Sequence, residues 1–372
     1  MIRFPLISCL FAALTVVCCG GTKDQPEPSG KYNLSLSEES LSTDYGAHSW
    51  NITVTSDCDW GVSSGARDWC TVSPSGGISG KSVVTVTLTE NKTGVARETV
   101  LTFRYGSLSK TVPVRQGFQP EDIDDGEIIA PEGYTLVWHD EFDSGSDLSS
   151  DWTHEVKNSG WVNNELQNYV DRVTPFGDRV TSVSGGALRI NCLKASNGKV
   201  YSGRVYAKRN TGWLYGYFEA RIKLPRGRGT WPAFWMMPVQ FTSWPADGEI
   251  DIMEEVGYHP DYTSSSIHCQ AYYHTIGTQK THEQYTAGAE GKYHVYACEW
   301  TPDALHFFVD GKHHFTFEND GTGNKDTWPF SAPFYPILNL AWGGDWGGAQ
   351  GVDESALPVT MSVDYIRVFQ KQ

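Results

Sequence analysis

Apolar and polar residues alternate along most of this chain in short runs. Ser49–Thr55, Ser82–Leu88 and Thr99–Phe103 put a branched or aromatic residue at every second position, and Ser75-Gly-Gly77 and Asn91-Lys-Thr-Gly94 interrupt them. A period of two is the signature of a half-buried strand, and Gly-rich breaks mark the turns. Short strands at this spacing predict an immunoglobulin-like sandwich over residues 31–118. The alternation resumes at Leu136–Asp143. Gly212–Pro225 reads as one long strand, and His294–Trp300 and Ala304–Gly311 as two more strand-like runs. Asp310-Gly311 is a strong hairpin signal. Pro336–Trp342 reads as a buried strand, Gly343–Trp346 as a loop at its end, and Val363–Phe369 as a closing strand. The prediction is an all-β protein with two folded parts.

One stretch breaks the pattern informatively. In Gly248-Glu-Ile-Asp-Ile-Met-Glu254 three acids stand at offsets zero, two and five, with Ile250, Ile252 and Met253 between them. On a regular strand Glu249 and Asp251 share a face, and Glu254 falls on the other. One extra residue near Met253 restores the row, because a bulge shifts everything after it by one. The outer backbones then stand roughly 13 Å apart. Glutamates leaning inward reach about 5 Å, the carboxyl separation of a retaining glycosidase. Asp251, a like charge beside both, can tune their protonation. An acidic solvent face on an edge strand is the plainer alternative. Trp231-Pro-Ala-Phe-Trp235 argues against it, since it places the acids beside an aromatic cleft of the kind that binds sugars.

Trp231-Pro-Ala-Phe-Trp-Met236 followed by Gly248–Glu254 resembles glycoside hydrolase family 16, in its laminarinase-like branch. The resemblance runs from about Leu136 to Phe369. The extra Met253 is similar to the bulged β-1,3-glucanase form. The fold it implies is a concanavalin A-like β-jelly-roll sandwich. It also implies Glu249 as nucleophile, Glu254 as acid/base and Asp251 as their modulator. Asn164, Arg204, Trp231, Trp235, His268 and Trp346 become candidate substrate-binding residues. Asp345 stands where the family has Asn. Glu165 is a further acid with nothing in the sequence to place it beside the motif. Glu219 and Arg221 are expected as structural partners. Glu141 and Asp364 match acids that help hold a structural calcium, and catalysis needs no cofactor. The implied substrate is β-1,3-glucan such as laminarin, mixed-linkage β-1,3/1,4-glucan, or both, cut internally. A lectin-like binding protein and a transglycosylase on the same site are the competing readings.

Cys58-Asp-Trp60, Trp69–Pro74 and Val112–Gln116 resemble the BACON domain, a family proposed to bind carbohydrate or mucin or to act as a spacer. Trp60 and Trp69 are expected in its core. Cys58 and Cys70 could form a disulfide. Cys192, Cys269 and Cys298 sit in apolar runs and read as buried thiols.

The net charge of -15 argues against nucleic acid as a partner. The 14 tryptophans suit sugar stacking. Residues 1–19 carry an apolar run too short to span a membrane, ending in Cys18-Cys19-Gly-Gly. This resembles a bacterial lipoprotein signal, with Cys19 the expected lipidated residue, Cys18 the alternative, and an ordinary cleaved signal peptide the plainer reading. Residues 20–30 read as a tether and the acidic stretch 119–133 as a linker, leaving residues 134–372 as the second domain. The expected protein is a monomer outside the cytoplasm, attached to the outer membrane by lipid and facing the cell surface or the periplasm.

Overall fold

The structure is a computed structural model that describes residues 32–91, 96–117, 124 and 126–371. The leader, the tether and Cys19 lie outside the described residues, as does part of the linker. Among the described residues no helix is long and apolar enough to cross a membrane.

The chain divides into two compact units, one centred on Ala47–Thr89 and Glu98–Arg115, the other on Gln116–Gln372. In the first, a four-stranded sheet holds His48–Ser56 and Gly80–Leu88, and a five-stranded sheet holds Trp60–Ser64, Arg97–Tyr105 and Leu108–Gln116. All three strands predicted there are present. Ile52, Val54, Val84, Val86, Leu101, Phe103, Val112 and Val114 form its core. Trp60 and Trp69 belong to that core, at 5% and 8% exposure, so neither forms an exposed sugar platform. Cys58 and Cys70 are not joined in a disulfide.

The second unit is a sandwich of a seven- and a ten-stranded sheet. We number the strands of the seven-stranded sheet in chain order: β1 Trp152–His154, β2 Arg204–Ala207, β3 Thr230–Pro238, β4 Glu249–Glu254, β5 Tyr262–His268, β6 Lys280–Tyr285 and β7 Phe334–Trp342. Their spatial order is β1-β2-β7-β3-β4-β5-β6. In the other sheet the long strand Val359–Lys371 pairs with Tyr134–Asp140, Ala187–Lys194 and Gly216–Lys223. The sheet continues through His294–Trp300 and Ala304–Val309 to the edge strand Lys312–Glu318. Asp310 and Gly311 both have positive φ, 49° and 72°, as the predicted two-residue hairpin requires.

Phe234, Met236, Ile250, Ile252, Ile267, Leu338 and Leu340 from one sheet meet Phe218, Ile222, Tyr296, Trp300, Phe307, Val363 and Ile366 from the other. Side chains of this size contribute about 1.5–3 kcal/mol each on burial. Cys192, Cys269 and Cys298 are buried thiols, as expected. The run from Gly212 to Pro225 departs from expectation, being strand only over Gly216–Lys223. Gly212 and Tyr215 take positive φ, 51° and 59°, which breaks the extended path, and Trp213 pairs with Phe334 instead. The expected loop at Gly343–Trp346 is partly helical, with a single turn over Gly344–Gly347.

Candidate active site

The central strand β4 carries the acid row. Against β3, Phe234 pairs with Met253 and Trp235 with Asp251, so Ile252 has no partner. Against β5, Asp251 pairs with Ser266 and Glu254 with Ser264, so Ile252 and Met253 together face Ser265 alone. This is the predicted bulge. It sends two consecutive apolar side chains, Ile252 and Met253, into the core at 1% and 0% exposure. Glu254 thereby joins Glu249 and Asp251 on the opposite face. Ser265 Oγ donates 2.7 Å to the Ile252 carbonyl, which satisfies a backbone group that the bulge removes from the ladder.

Each acid has a distinct set of neighbours. Trp244 Nε1 donates to Glu249 Oε2 at 3.1 Å. Trp231 Nε1 donates to Glu254 Oε1 at 2.9 Å. His268 Nε2 lies 3.3 Å from Asp251 Oδ2 and 3.9 Å from Glu249 Oε1. Burial pushes the Glu249 carboxyl up to about 8, with the like charge of Asp251 adding to it and His268 and Arg204 opposing. Burial pushes Asp251 up to about 8 as well. It does the same to Glu254, where Asp251 again adds and the Trp231 N–H opposes. The charge of Asp251 acts on both glutamates, so the three carboxyls titrate as a coupled group. The cluster therefore holds protons near neutral pH, as an acid catalyst needs.

The face around the acids is aromatic and cationic. The Arg204 guanidinium lies 4.6 Å from the Trp235 ring centre and 5.0 Å from that of Trp161. Trp235 Nε1 donates 2.7 Å to Asn339 Oδ1. Trp231 and Trp346 meet edge to face at 5.4 Å. Arg204 Nε and His268 Nδ1 are buried without a hydrogen-bond partner among the described residues. A buried polar atom left unmatched costs about 1–3 kcal/mol, so such atoms invite a ligand hydroxyl or water. Asn164 is exposed, and its amide donates 2.8 Å to Asp345 Oδ1. The Asp that departs from the family pattern is thus the partner of a candidate binding residue.

Several site residues were missed from sequence. Glu165 is 7% exposed and accepts from Gln167, Asn163 and Tyr169. Its charge raises Glu254, and Arg204 in turn lowers Glu165, so the assembled fold couples it electrostatically to the motif acids. Asn339 and Tyr169 link it to Trp235. Trp244 was readable only as a flank of the motif. Its ring also lies 5.1 Å from His274 and 5.6 Å from Tyr273.

The pair matched to calcium is differently employed. Both oxygens of Glu141 take the Arg367 guanidinium, at 3.0 and 2.7 Å. Asp364 Oδ2 takes Arg221 Nη1 at 2.6 Å and the Asp124 amide at 2.9 Å. Calcium needs six to eight oxygens, whereas these two carboxylates face guanidinium groups. As placed, they do not fit the ion. The same arrangement gives Arg221 a partner in Asp364, and Glu219 one in Arg367 at 3.7 Å.

A β-sandwich with a row of carboxyls on one sheet face, framed by tryptophans and an arginine, defines a glycoside hydrolase. The sequence profile described as glycosyl hydrolases family 16 matches residues 158–367. The chain belongs to that family. A second profile, described as a putative N-terminal binding domain and called BACON, matches residues 59–117. Over 248 residues the chain is 42% identical to a protein named beta-glucanase from Rhodothermus marinus, covering 64% of this chain and 85% of that one. The crystal structure of the laminarinase from Rhodothermus marinus superposes with a TM-score of 0.59 at 40% identity, covering 64% of this chain and 97% of that chain. A structure titled a non-specific endo-β-1,3(4)-glucanase from this family, SCLam, gives 0.60 at 41% identity, covering 68% and 95%.

Proposed function

We propose that this protein is a retaining, endo-acting β-glucanase that hydrolyses β-1,3-glucan such as laminarin, mixed-linkage β-1,3/1,4-glucan, or both. The observation that carries the reading is the bulged strand that lines up Glu249, Asp251 and Glu254 on one face beside Trp231 and Trp235. Relatives named for activity on these glucans support it.

Glu249, ionised, attacks the anomeric carbon and forms a glycosyl ester as the glycosidic C–O bond breaks. Glu254 gives its proton to the departing oxygen. It then takes a proton from water, whose oxygen displaces Glu249 and restores the original configuration. The Trp244 N–H and His268 favour charge on Glu249. The desolvated setting of Glu254 keeps its proton in place. Asp251 shares protons with both and sets which one is charged. The rings of Trp231, Trp235 and Trp346 stack sugar faces, and Arg204 Nε and His268 Nδ1 meet hydroxyls. Asn164, fixed by Asp345, contacts the sugars beyond the bond to be cut. No cofactor enters a step.

The rest of the chain fits a surface enzyme. Lipid on Cys19 would anchor a monomer to the outer membrane, and the first unit would hold a glycan or act as a spacer. The deciding experiment measures oligosaccharide release from laminarin and from barley mixed-linkage glucan, for wild type and Glu249→Gln. Release that the substitution abolishes supports the nucleophile, and the preferred polymer names the specificity. Activity that survives in Glu249→Gln sinks the mechanism. Binding without release from either polymer returns the protein to the lectin-like class.

A further inference from the structure

On one side the two sheets of the catalytic unit end in β6 and in the strand Lys312–Glu318. Each of these edge strands turns a histidine toward the other. His282 Nδ1 lies 3.3 Å from His314 Nδ1. His314 owes its aim to a bulge. Phe307 pairs with Phe315 and Phe308 with His313, so nothing stands opposite His314. Bulges re-aim side chains in this way.

Hydrogen bonding determines which nitrogen of His314 carries the proton. The Ile252 carbonyl can only accept, so the single proton of the Ser265 hydroxyl is committed to it. The 3.1 Å contact between Ser265 Oγ and His314 Nε2 then requires an N–H on Nε2. Neutral His314 is left with a lone pair on Nδ1, directed at His282. Two nitrogens each bound at about 2.0–2.1 Å to a tetrahedral zinc stand about 3.3 Å apart. A ligating imidazole also characteristically donates its other N–H to an oxygen partner, as Nε2 does here.

We propose that His282 and His314 form a binding site for a divalent transition metal ion of the zinc or nickel type, clipping the two edge strands together. Nδ1 of each ring supplies a lone pair, and the neutral His282 carries its proton on Nε2. His282 is exposed, which leaves the remaining coordination positions to water. Paired imidazoles select borderline ions over calcium and magnesium, which prefer all-oxygen cages. The ion would lock His314 in the tautomer that supports Ser265, and Ser265 holds the bulge that turns Glu254 toward the substrate.

The test is calorimetric titration of the untagged full chain with zinc chloride after removal of adventitious metal. Wild type, His282→Ala and His268→Ala are compared. The third protein is needed because Glu249, Asp251 and His268 also place ligand atoms within 4.8 Å of one another. The expected result is that His282→Ala binds one zinc equivalent fewer than wild type, while His268→Ala retains that equivalent. Zinc should raise the melting temperature of wild type and of His268→Ala, and leave that of His282→Ala unmoved. Equal stoichiometry in wild type and His282→Ala overturns the proposal. So does the absence of binding to wild type, or loss of the zinc-induced shift in His268→Ala with its persistence in His282→Ala.

Discussion

At the scale of single residues, the site is an exercise in holding protons. Glu254→Gln keeps the Trp231 contact but removes the acid, so kcat on glucan should fall about 10²–10⁴-fold. The loss should be much smaller for an aryl glucoside whose leaving group needs no proton, and steady-state rates on the two substrates check this. Glu255, next along the chain, is 1% exposed, and its Oε1 accepts from the Asp261 amide. Burial, with the charge of Glu290, pushes it up to about 9. An unfolded glutamate ionises near pH 4–5, so the folded state binds the extra proton between there and pH 9. That contribution to stability is full below the unfolded value and drains away as pH rises. Glu255→Gln should therefore gain melting temperature relative to wild type between pH 5 and pH 8, as thermal unfolding at both values will show.

At the scale of elements, β4 does its work through one surplus residue. Ser265→Ala removes the hydroxyl that satisfies the Ile252 carbonyl. It should cost about 0.5–1.5 kcal/mol of stability and lower kcat more than it changes KM, measured by denaturant unfolding and kinetics on one preparation. Inserting an alanine after Met253 adds a further half period. Glu254 would return to the core side, and activity should drop to that of Glu254→Gln while the far-ultraviolet dichroism stays that of a β-protein. This bulge was legible in the sequence because a period of two makes an acid at offset five an anomaly. The Asp310-Gly311 hairpin was legible because its backbone demands those residue types. Other elements were not. Tyr215 is an ordinary residue at positive φ, and nothing local announces that it ends a strand. Glu165, Tyr169 and Asn339 come together from a loop, the short strand Asn168–Tyr169 and β7 through pairings as much as 170 residues apart. Only the assembled sheets place them. Glu141 and Asp364 were located by resemblance, but their arginine partners depend on the register of the long last strand.

At the scale of the whole molecule, the two units have separate cores, one built around Ile52 and Phe103, the other around Phe234 and Val363. A chain limited to residues 119–372 should therefore fold alone. It should keep the full chain's kcat/KM on short soluble oligosaccharides, and its single melting transition should coincide with that of the catalytic unit. The cysteines carry a different consequence. Among the described residues Cys58, Cys70, Cys192, Cys269 and Cys298 form no disulfide, and burial pushes the Cys192 and Cys298 thiols far above their usual range. Thiols held neutral and away from solvent neither exchange nor oxidise readily. The melting temperature should be the same with and without dithiothreitol, so this fold draws none of its rigidity from an oxidising environment and tolerates a reducing one.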